Sequence, residues 1–390
     1  MVATRGAEGG LIALGRALLA ELLPVERREA LARMRLTRTL RRAVREVPAH
    51  RGRAPSLDAF PICDARALRQ GGGWSGAWSA ARTDATSGSS GGARCEVRLD
   101  ASDVRRADAV WLRTYARLGL RPHHLRVRLR APDPRTEGSR GWTGRRLLGL
   151  PMPVELSTAR PIEEIADALR ALRPDVVHGS ATELARLAEA LIDRPLDATL
   201  VIFGGEPMHA PERARVAAAF GVWPRGVYGC TEAGFIGWEC ARGVVHLNAD
   251  HVWVERSESV VVTTLERRLT PMIRFDTGDR VEPEGCDCSR WPALGRVLGP
   301  RHRFLRIDGK EIPEAQVAHA LSGVDRARRV QVVQTRDAVT VRAPAAQLDA
   351  ALRALSFLGE RVGEVDEAPT WGGKRPIVDA READRRGLTP

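Results

Sequence analysis

The chain has 390 residues, more than one ordinary core needs, so a large and a small domain are expected. Hydrophobic residues make up 43% and charged residues 28%, the balance of a soluble globular protein, and no apolar run approaches the roughly 20 residues of a membrane span. The net charge is +12 with only 5% aromatics, and arginine is spread beside Glu and Asp through nearly every predicted helix. A clustered basic stripe is therefore missing, and nucleic acid is not an expected partner.

A polyanionic small substrate such as ATP or coenzyme A accounts for the positive bias equally well. The N-terminus bears Arg and Glu and has no apolar core followed by small residues, so a cytoplasmic location is expected. Nearly all of the 61 basic residues are arginine, the only lysines being Lys310 and Lys374. Such a skew reflects genome composition, yet a lysine that survives it suits a tight site where a compact ammonium must enter.

Residues 8–48 carry helical spacing, with Leu11, Leu14, Leu18, Leu22 and Leu23 on one face and an Arg-rich amphipathic segment ending before Pro48. The run Gly71-Gly72-Gly73-Trp74 is punctuation, since no strand precedes it. Next comes Thr86-Ser87-Gly88-Ser89-Ser90-Gly91-Gly92-Ala93-Arg94. Its glycines let backbone N–H groups approach an anion, its hydroxyls add donors and Arg94 adds charge for a triphosphate. A flexible Ser/Gly linker has the same composition; shortness and ordered neighbours count against it. A helix starts near Ser102-Asp103, with Val104, Ala107, Trp111, Tyr115 and Leu118 at helical spacing.

From 123 to 203 strands and helices alternate. His124–Arg130 reads as a strand. Ser180-Ala181-Thr182-Glu183 is a capping-box signature between Val176-Val177 and Leu200–Phe203, a strand-helix-strand unit that predicts parallel pairing. The second strand ends in Gly204-Gly205-Glu206-Pro207, at the carboxyl end where ligands collect in such sheets. Beyond 243 strands are expected at 244–255, 259–265 and 272–275. From Gly299 a small domain starts afresh: a strand at 304–307, a helix from Pro313, strands at 330–335 and 339–342, and a helix at 348–358. It closes on Trp371-Gly372-Gly373-Lys374. The expected division is 1–298 and 299–390.

These motifs, in this order, resemble the adenylate-forming ligase superfamily, most closely its phenylacetate–coenzyme A ligase branch, over roughly residues 55–380. The resemblance implies an α/β fold: a large N-terminal domain of mixed and parallel sheets flanked by helices, and a mobile α+β C-terminal lid. Thr86–Arg94 is similar to the superfamily's phosphate loop, which makes Ser87, Gly88, Ser89, Ser90, Gly91 and Arg94 cofactor-binding, with arginine where lysine is usual. Gly204-Gly205-Glu206 and Tyr228-Gly229-Cys230-Thr231-Glu232 look like the adenine and magnesium segments. Thr231 and Glu232 are thereby catalytic, and Glu232 is a carboxylate ligand for Mg²⁺. Thr277-Gly278-Asp279 looks like the ribose-binding turn, and Gly372-Gly373-Lys374 like the loop of the catalytic lysine. Arg296 is a candidate nucleotide contact, and a bland reading as a surface arginine is as good.

The joint departs from the superfamily's Gly-Arg-x-Asp-Asp, reading Gly299-Pro300-Arg301-His302-Arg303. In relatives the acidic residue accompanies rotation of the lid, so the departure puts the thioester step in doubt. Six cysteines in a cytoplasmic chain argue against a disulfide framework. Cys240, His246, Cys286 and Cys288 are three thiolates and an imidazole, a structural-zinc donor set that also occurs in zinc-bearing members of the branch. The expected activity is adenylation of an aryl or arylalkyl carboxylic acid followed by transfer to coenzyme A. Two alternatives stand beside it: the same adenylation with an amine or nitrite as acceptor, and an inactive relative serving as a binding protein. A homodimer is left open.

Overall fold

The computed structural model describes residues 2–65, 67–68, 75–76, 78–85, 95–130, 153–325, 328–335, 338–359, 362–366 and 376–381. They form two compact units. One is built from Met1–His123 and Gly226–Val297; the other from Met152–Arg225 and Leu298–Pro390, together with the strand Arg126–Arg130.

In the first unit the helical stretch expected over 8–48 is two helices, Val2–Leu22 and Val25–Glu46. Pro24, at φ −55°, has no N–H to continue the first helix and starts the second. A third helix, Ala101–Leu118, begins where the Asp100 carboxylate accepts from the Asp103 N–H at 2.7 Å and ends at Gly119, φ +109°. The main sheet of this unit runs in the order Asp279–Glu282, Ala293–Pro300, Val245–Leu247, Gly234–Glu239, Arg225–Cys230. The pairs along Val245–Leu247 and Gly234–Glu239 are antiparallel. Gly229 is required here, because a Cβ would stand 2.3 Å from the Gly234 carbonyl where the hairpin doubles back. A second, three-stranded sheet joins Val252–Arg256, Val260–Thr264 and Phe275–Asp276. The one long strand expected at 244–255 is thus two, separated by a turn in which Val252 N–H donates to Asn248 O at 3.0 Å. The strand expected at 272–275 is shorter and later; Met272 instead exchanges hydrogen bonds with Thr264.

The second unit carries parallel strands in the order Leu200–Gly204, Val176–Gly179, Arg126–Arg130, Val154–Ser157. Parallel pairing of 176–179 with 200–204 follows from the helix between them, Ala181–Ala190. That helix opens with the predicted capping box: Ser180 Oγ accepts from Glu183 N at 3.2 Å and Glu183 Oε2 from Ser180 N at 2.7 Å. Leu184, Leu187 and Leu191 are fully buried against Leu169 and Phe220. Each such side chain contributes about 2 kcal/mol of hydrophobic stabilisation. The C-terminal part repeats the logic with a four-stranded sheet, Val362–Asp366, Val339–Ala343, Gln331–Gln334 and Val378–Asp379. Helices Glu314–Ala320 and Ala345–Ala354 cover it through Val317, Leu321, Ala351 and Leu355. Strand Phe304–Ile307 pairs with Lys310–Pro313 across the turn at Asp308-Gly309. No described helix is long and apolar enough to cross a membrane.

Candidate functional site

Two clusters in the first unit carry chemistry. In the first, Cys240 follows strand Gly234–Glu239 and is held in a tight turn by Cys240 N→Val244 O and Gly243 N→Cys240 O. His246 lies in the next strand, and Cys286 and Cys288 come from the loop between Asp279–Glu282 and Ala293–Pro300. Their ligand atoms all lie within 4.8 Å of one another. Cys240 and Cys286 sulfurs are 3.9 Å apart, Cys286 and Cys288 3.2 Å, and Cys288 Sγ is 3.3 Å from His246 Nε2. A tetrahedral ion with sulfur at about 2.3 Å would set neighbouring ligands roughly 3.8 Å apart, so the cluster fits one.

The imidazole is oriented for that purpose. His246 Nδ1 is 3.0 Å from the Trp291 carbonyl, which accepts its proton and leaves the Nε2 lone pair facing the sulfurs. Trp238 stacks on the ring at 5.7 Å between centroids. Backbone hydrogen bonding at Cys288 lowers the Cys286 thiol to about 7, whereas burial and the neighbouring thiols push Cys288 up to about 12. Three thiolates so close repel one another unless a cation lies among them.

The second cluster is the turn Thr277-Gly278-Asp279. Thr277 Oγ1 donates to Val260 O and accepts from Asp279 N, while the Asp276 carboxylate accepts from Gly278 N and from Ser259 Oγ. Gly278, at φ +74°, makes the reversal without strain. The Tyr228 hydroxyl donates to Asp279 Oδ2 at 2.9 Å. Burial and the adjacent Asp279 raise the phenol well above its ordinary value, so it stays a donor. On the turn following Tyr228, Thr231 is half-buried and Glu232 buried, and Arg267 donates to the Glu232 carbonyl. Cys230 is a neutral thiol, pushed up by burial and by Glu232. Arg296 is paired with Glu284 at 2.5 Å on an exposed edge.

Gly204, Gly205 and Glu206 lie in the second unit. Glu206 is buried: its Oε1 accepts from Thr182 N at 2.8 Å and its Oε2 from Arg328 at 3.1 Å. Arg328 also bonds both oxygens of Glu212 and the Pro207 carbonyl. Nearby, Glu314 accepts from Arg303 at 2.7 Å and from the Ile377 N–H, and meets His209 at 3.3 Å. Among so many arginines, nothing in the sequence distinguished Arg328 or Arg267, whereas Arg303 stood out only as part of the joint. The long-range partners of the first two, more than a hundred residues away for Arg328, leave no local spacing to read. The proposed phosphate-loop residues Ser87, Gly88, Ser89, Ser90, Gly91 and Arg94, and Lys374, lie outside the described residues.

No family model matches the chain. No curated protein matches it either. Solved structures do. The 2-hydroxyisobutyryl-CoA ligase HCL, in the postadenylation state with R3-HIB-AMP, aligns at TM-score 0.75 and 20% identity over 94% of this chain and 92% of its own. The same ligase in an open conformation with 2-HIB-AMP and CoA aligns at 0.60 and 20% over 92% of each chain. MatB from Rhodopseudomonas palustris, bound to ATP, aligns at 0.54 and 17% over 77% of this chain and 67% of its own. The anthranilate CoA ligase AuaEII with anthranoyl-AMP aligns at 0.52 and 14% over 78% and 66%. The chain therefore has the α/β fold that these ligase structures share.

Proposed function

We propose that the chain is an ATP-dependent ligase that activates an aryl or arylalkyl carboxylic acid as its acyl-adenylate and passes the acyl group to coenzyme A. The observation that carries it is the Tyr228–Asp279 pair on a turn locked by Thr277 and Asp276. A carboxylate so fixed, beside the tyrosine bond, suits acceptance from two vicinal hydroxyls, as a ribose presents. The fold, shared with ligases whose structures hold acyl-AMP, supports the same reading.

In the first step a carboxylate oxygen of the acid attacks the α-phosphorus of ATP, the phosphoric anhydride bond breaks and pyrophosphate leaves. Two anions must be brought together, so alignment and charge neutralisation carry the barrier. Lys374 is assigned to bridge the acid and the α-phosphate, and Ser87, Gly88, Ser89, Ser90, Gly91 and Arg94 to cradle the other phosphates. Gly204, Gly205, Glu206, Tyr228 and Gly229 are assigned to the adenine side, Thr231 to catalysis and Arg296 to a nucleotide contact. Bound Mg²⁺ supplies charge neutralisation at the phosphates, and Glu232 is its carboxylate ligand. In the second step the thiol sulfur of coenzyme A attacks the acyl carbon and AMP leaves. Cys240, His246, Cys286 and Cys288 are assigned to a closed structural zinc that ties together the turn after strand Gly234–Glu239, strand Val245–Leu247 and one loop.

A second reading, in which the acceptor is an amine, or nitrite in a diazotase-like reaction, is favoured by one observation. Arg303 of the joint is buried in an ion pair with Glu314, which also meets His209. Freeing that joint for a second arrangement would expose or unpair buried charge. ATP–pyrophosphate exchange over a panel of aryl acids, with and without coenzyme A, tests both readings. Exchange dependent on an aryl acid is expected. A chain that binds acids but supports exchange with none of them is a binding protein instead.

A further inference from the structure

The first unit holds a cavity of about 210 Å³ that no step above uses. Its walls come from helices Val2–Leu22, Val25–Glu46 and Ala101–Leu118 and from the turn that carries His251. One side is apolar, formed by Ile12, Ala17, Ala109 and Val110. The other is charged, with four arginines against only the carboxylates of Asp250 and Glu266.

The four arginines divide into two kinds. Arg35 donates to the Asp250 carbonyl at 2.6 Å and pairs with Glu266 at 3.4 Å; Arg106 donates to the Glu266 carbonyl at 2.6 Å. Those two are held by protein. Arg16, exposed, and Arg105, half-buried, have no hydrogen bond or ion pair among the described residues. The acidic groups are in turn committed: both Asp250 oxygens bond Arg113, at 2.6 and 2.7 Å. The uncompensated charge of the wall is therefore positive and sits on Arg16 and Arg105.

His251 supplies the second observation. It is only 6% exposed and lines the cavity, and its buried Nδ1 has no partner among the described residues. A buried ring nitrogen left unsatisfied is costly, and an ordered water or a bound group can offset that cost. Burial, then the nearby Arg267, lowers the ring to about 3, so it is neutral and offers one N–H and one lone pair.

We infer that this cavity is a binding site for a small organic carboxylate with an apolar body. The body packs against Ile12, Ala17 and Val110, the carboxylate faces Arg16 and Arg105, and the ring of His251 lines the same space. A bare inorganic anion would leave the apolar wall uncovered, and a neutral body would leave the two arginines without a counter-charge.

The test uses the full chain with ring-¹⁵N histidine, the His251 signals assigned with His251→Gln. Benzoate, benzamide and inorganic phosphate are titrated separately. Benzoate is expected to move the His251 Nδ1 resonance, while benzamide and phosphate bind more weakly by about tenfold or more, the worth of one charge-assisted hydrogen bond or of the buried body. Arg16→Ala with Arg105→Ala is expected to weaken benzoate about tenfold with the melting temperature unchanged, since neither residue holds the fold together. Benzoate that leaves His251 unmoved overturns the site, even if calorimetry detects binding elsewhere. Phosphate as effective as benzoate overturns the assigned class, and equal affinity in the double variant overturns the role of the arginines.

Discussion

At the scale of single residues the Asp279 carboxylate accepts from Tyr228, and the proposed function gives it the ribose as well. Asp279→Ala removes the proposed ribose acceptor, and the loss of a hydrogen bond to a charged group predicts that KM for ATP rises by about tenfold to a hundredfold. Tyr228→Phe removes only a neutral donor and should change KM far less. An Asp279→Ala enzyme with unchanged KM for ATP would remove the ribose assignment. The metal cluster makes its own prediction. Purified protein should hold about one zinc per chain, and Cys286→Ser with Cys288→Ser should lose it and melt at lower temperature. Metal-free wild type, as stable as the metal-loaded protein, sinks the assignment. Activity should fall only through stability, because four protein ligands leave no open position.

At the scale of elements the buried ion network of the second unit governs how strand ends and helices are held. Arg328 reaches Glu206, Glu212 and the Pro207 carbonyl, fixing the turn after strand Leu200–Gly204 and the start of helix Ala210–Phe220. Arg328→Ala leaves two carboxylates buried without a counter-charge and should destabilise the protein by about 3–5 kcal/mol in denaturant unfolding. Glu314 adds a pH dependence. Burial alone would raise its carboxyl, but Arg303, then the His209 bond, hold it well below its ordinary value of 4.5. A depressed carboxyl stabilises fully above its unfolded value, and that stabilisation is lost as pH falls below it. Unfolding free energy should therefore drop as pH falls below about 4.5, and Glu314→Gln should flatten that limb. A variant with the same acid limb as wild type refutes the role of Glu314.

Much of this scale was legible. The capping box at Ser180 and the strands at 176, 200 and 304 follow from local pattern, since caps and alternation act over a few residues. The Cys₃His set was legible too, because its chemistry is carried by residue type. What sequence could not show was the break at Pro24 within a continuous apolar period, the split of 244–255, and the choice of Arg328 and Arg303 among the arginines. The first two turn on local turns inside apolar runs; Arg328 meets partners more than a hundred residues away, and Arg303 meets Glu314 only once strand and helix have packed.

For the whole molecule the proposed function turns on the acceptor, and the joint bears on it. Pro300 fixes φ at −70° ahead of a single 3₁₀ turn, Arg301–Arg303. Arg303 is bonded to Glu314, and the His302 carbonyl accepts from Ala380. Burial, then Arg303, lowers His302 to about 4, so it is neutral and adds no charge to the joint at pH 7. Transfer to coenzyme A, on the proposed reading, needs this joint to move, and the buried Arg303–Glu314 and His209–Glu314 contacts oppose it. Mass spectrometry of the product after one turnover, with coenzyme A and candidate amines supplied together to preformed acyl-adenylate, is expected to show the coenzyme A thioester. Arg303→Met with Glu314→Gln, which replaces the buried pair by neutral groups of similar length, should speed that transfer while leaving pyrophosphate exchange within a few-fold of wild type. An adenylate that persists with coenzyme A and is consumed only by the amine would place the chain among ligases with another acceptor, the buried joint being the physical reason.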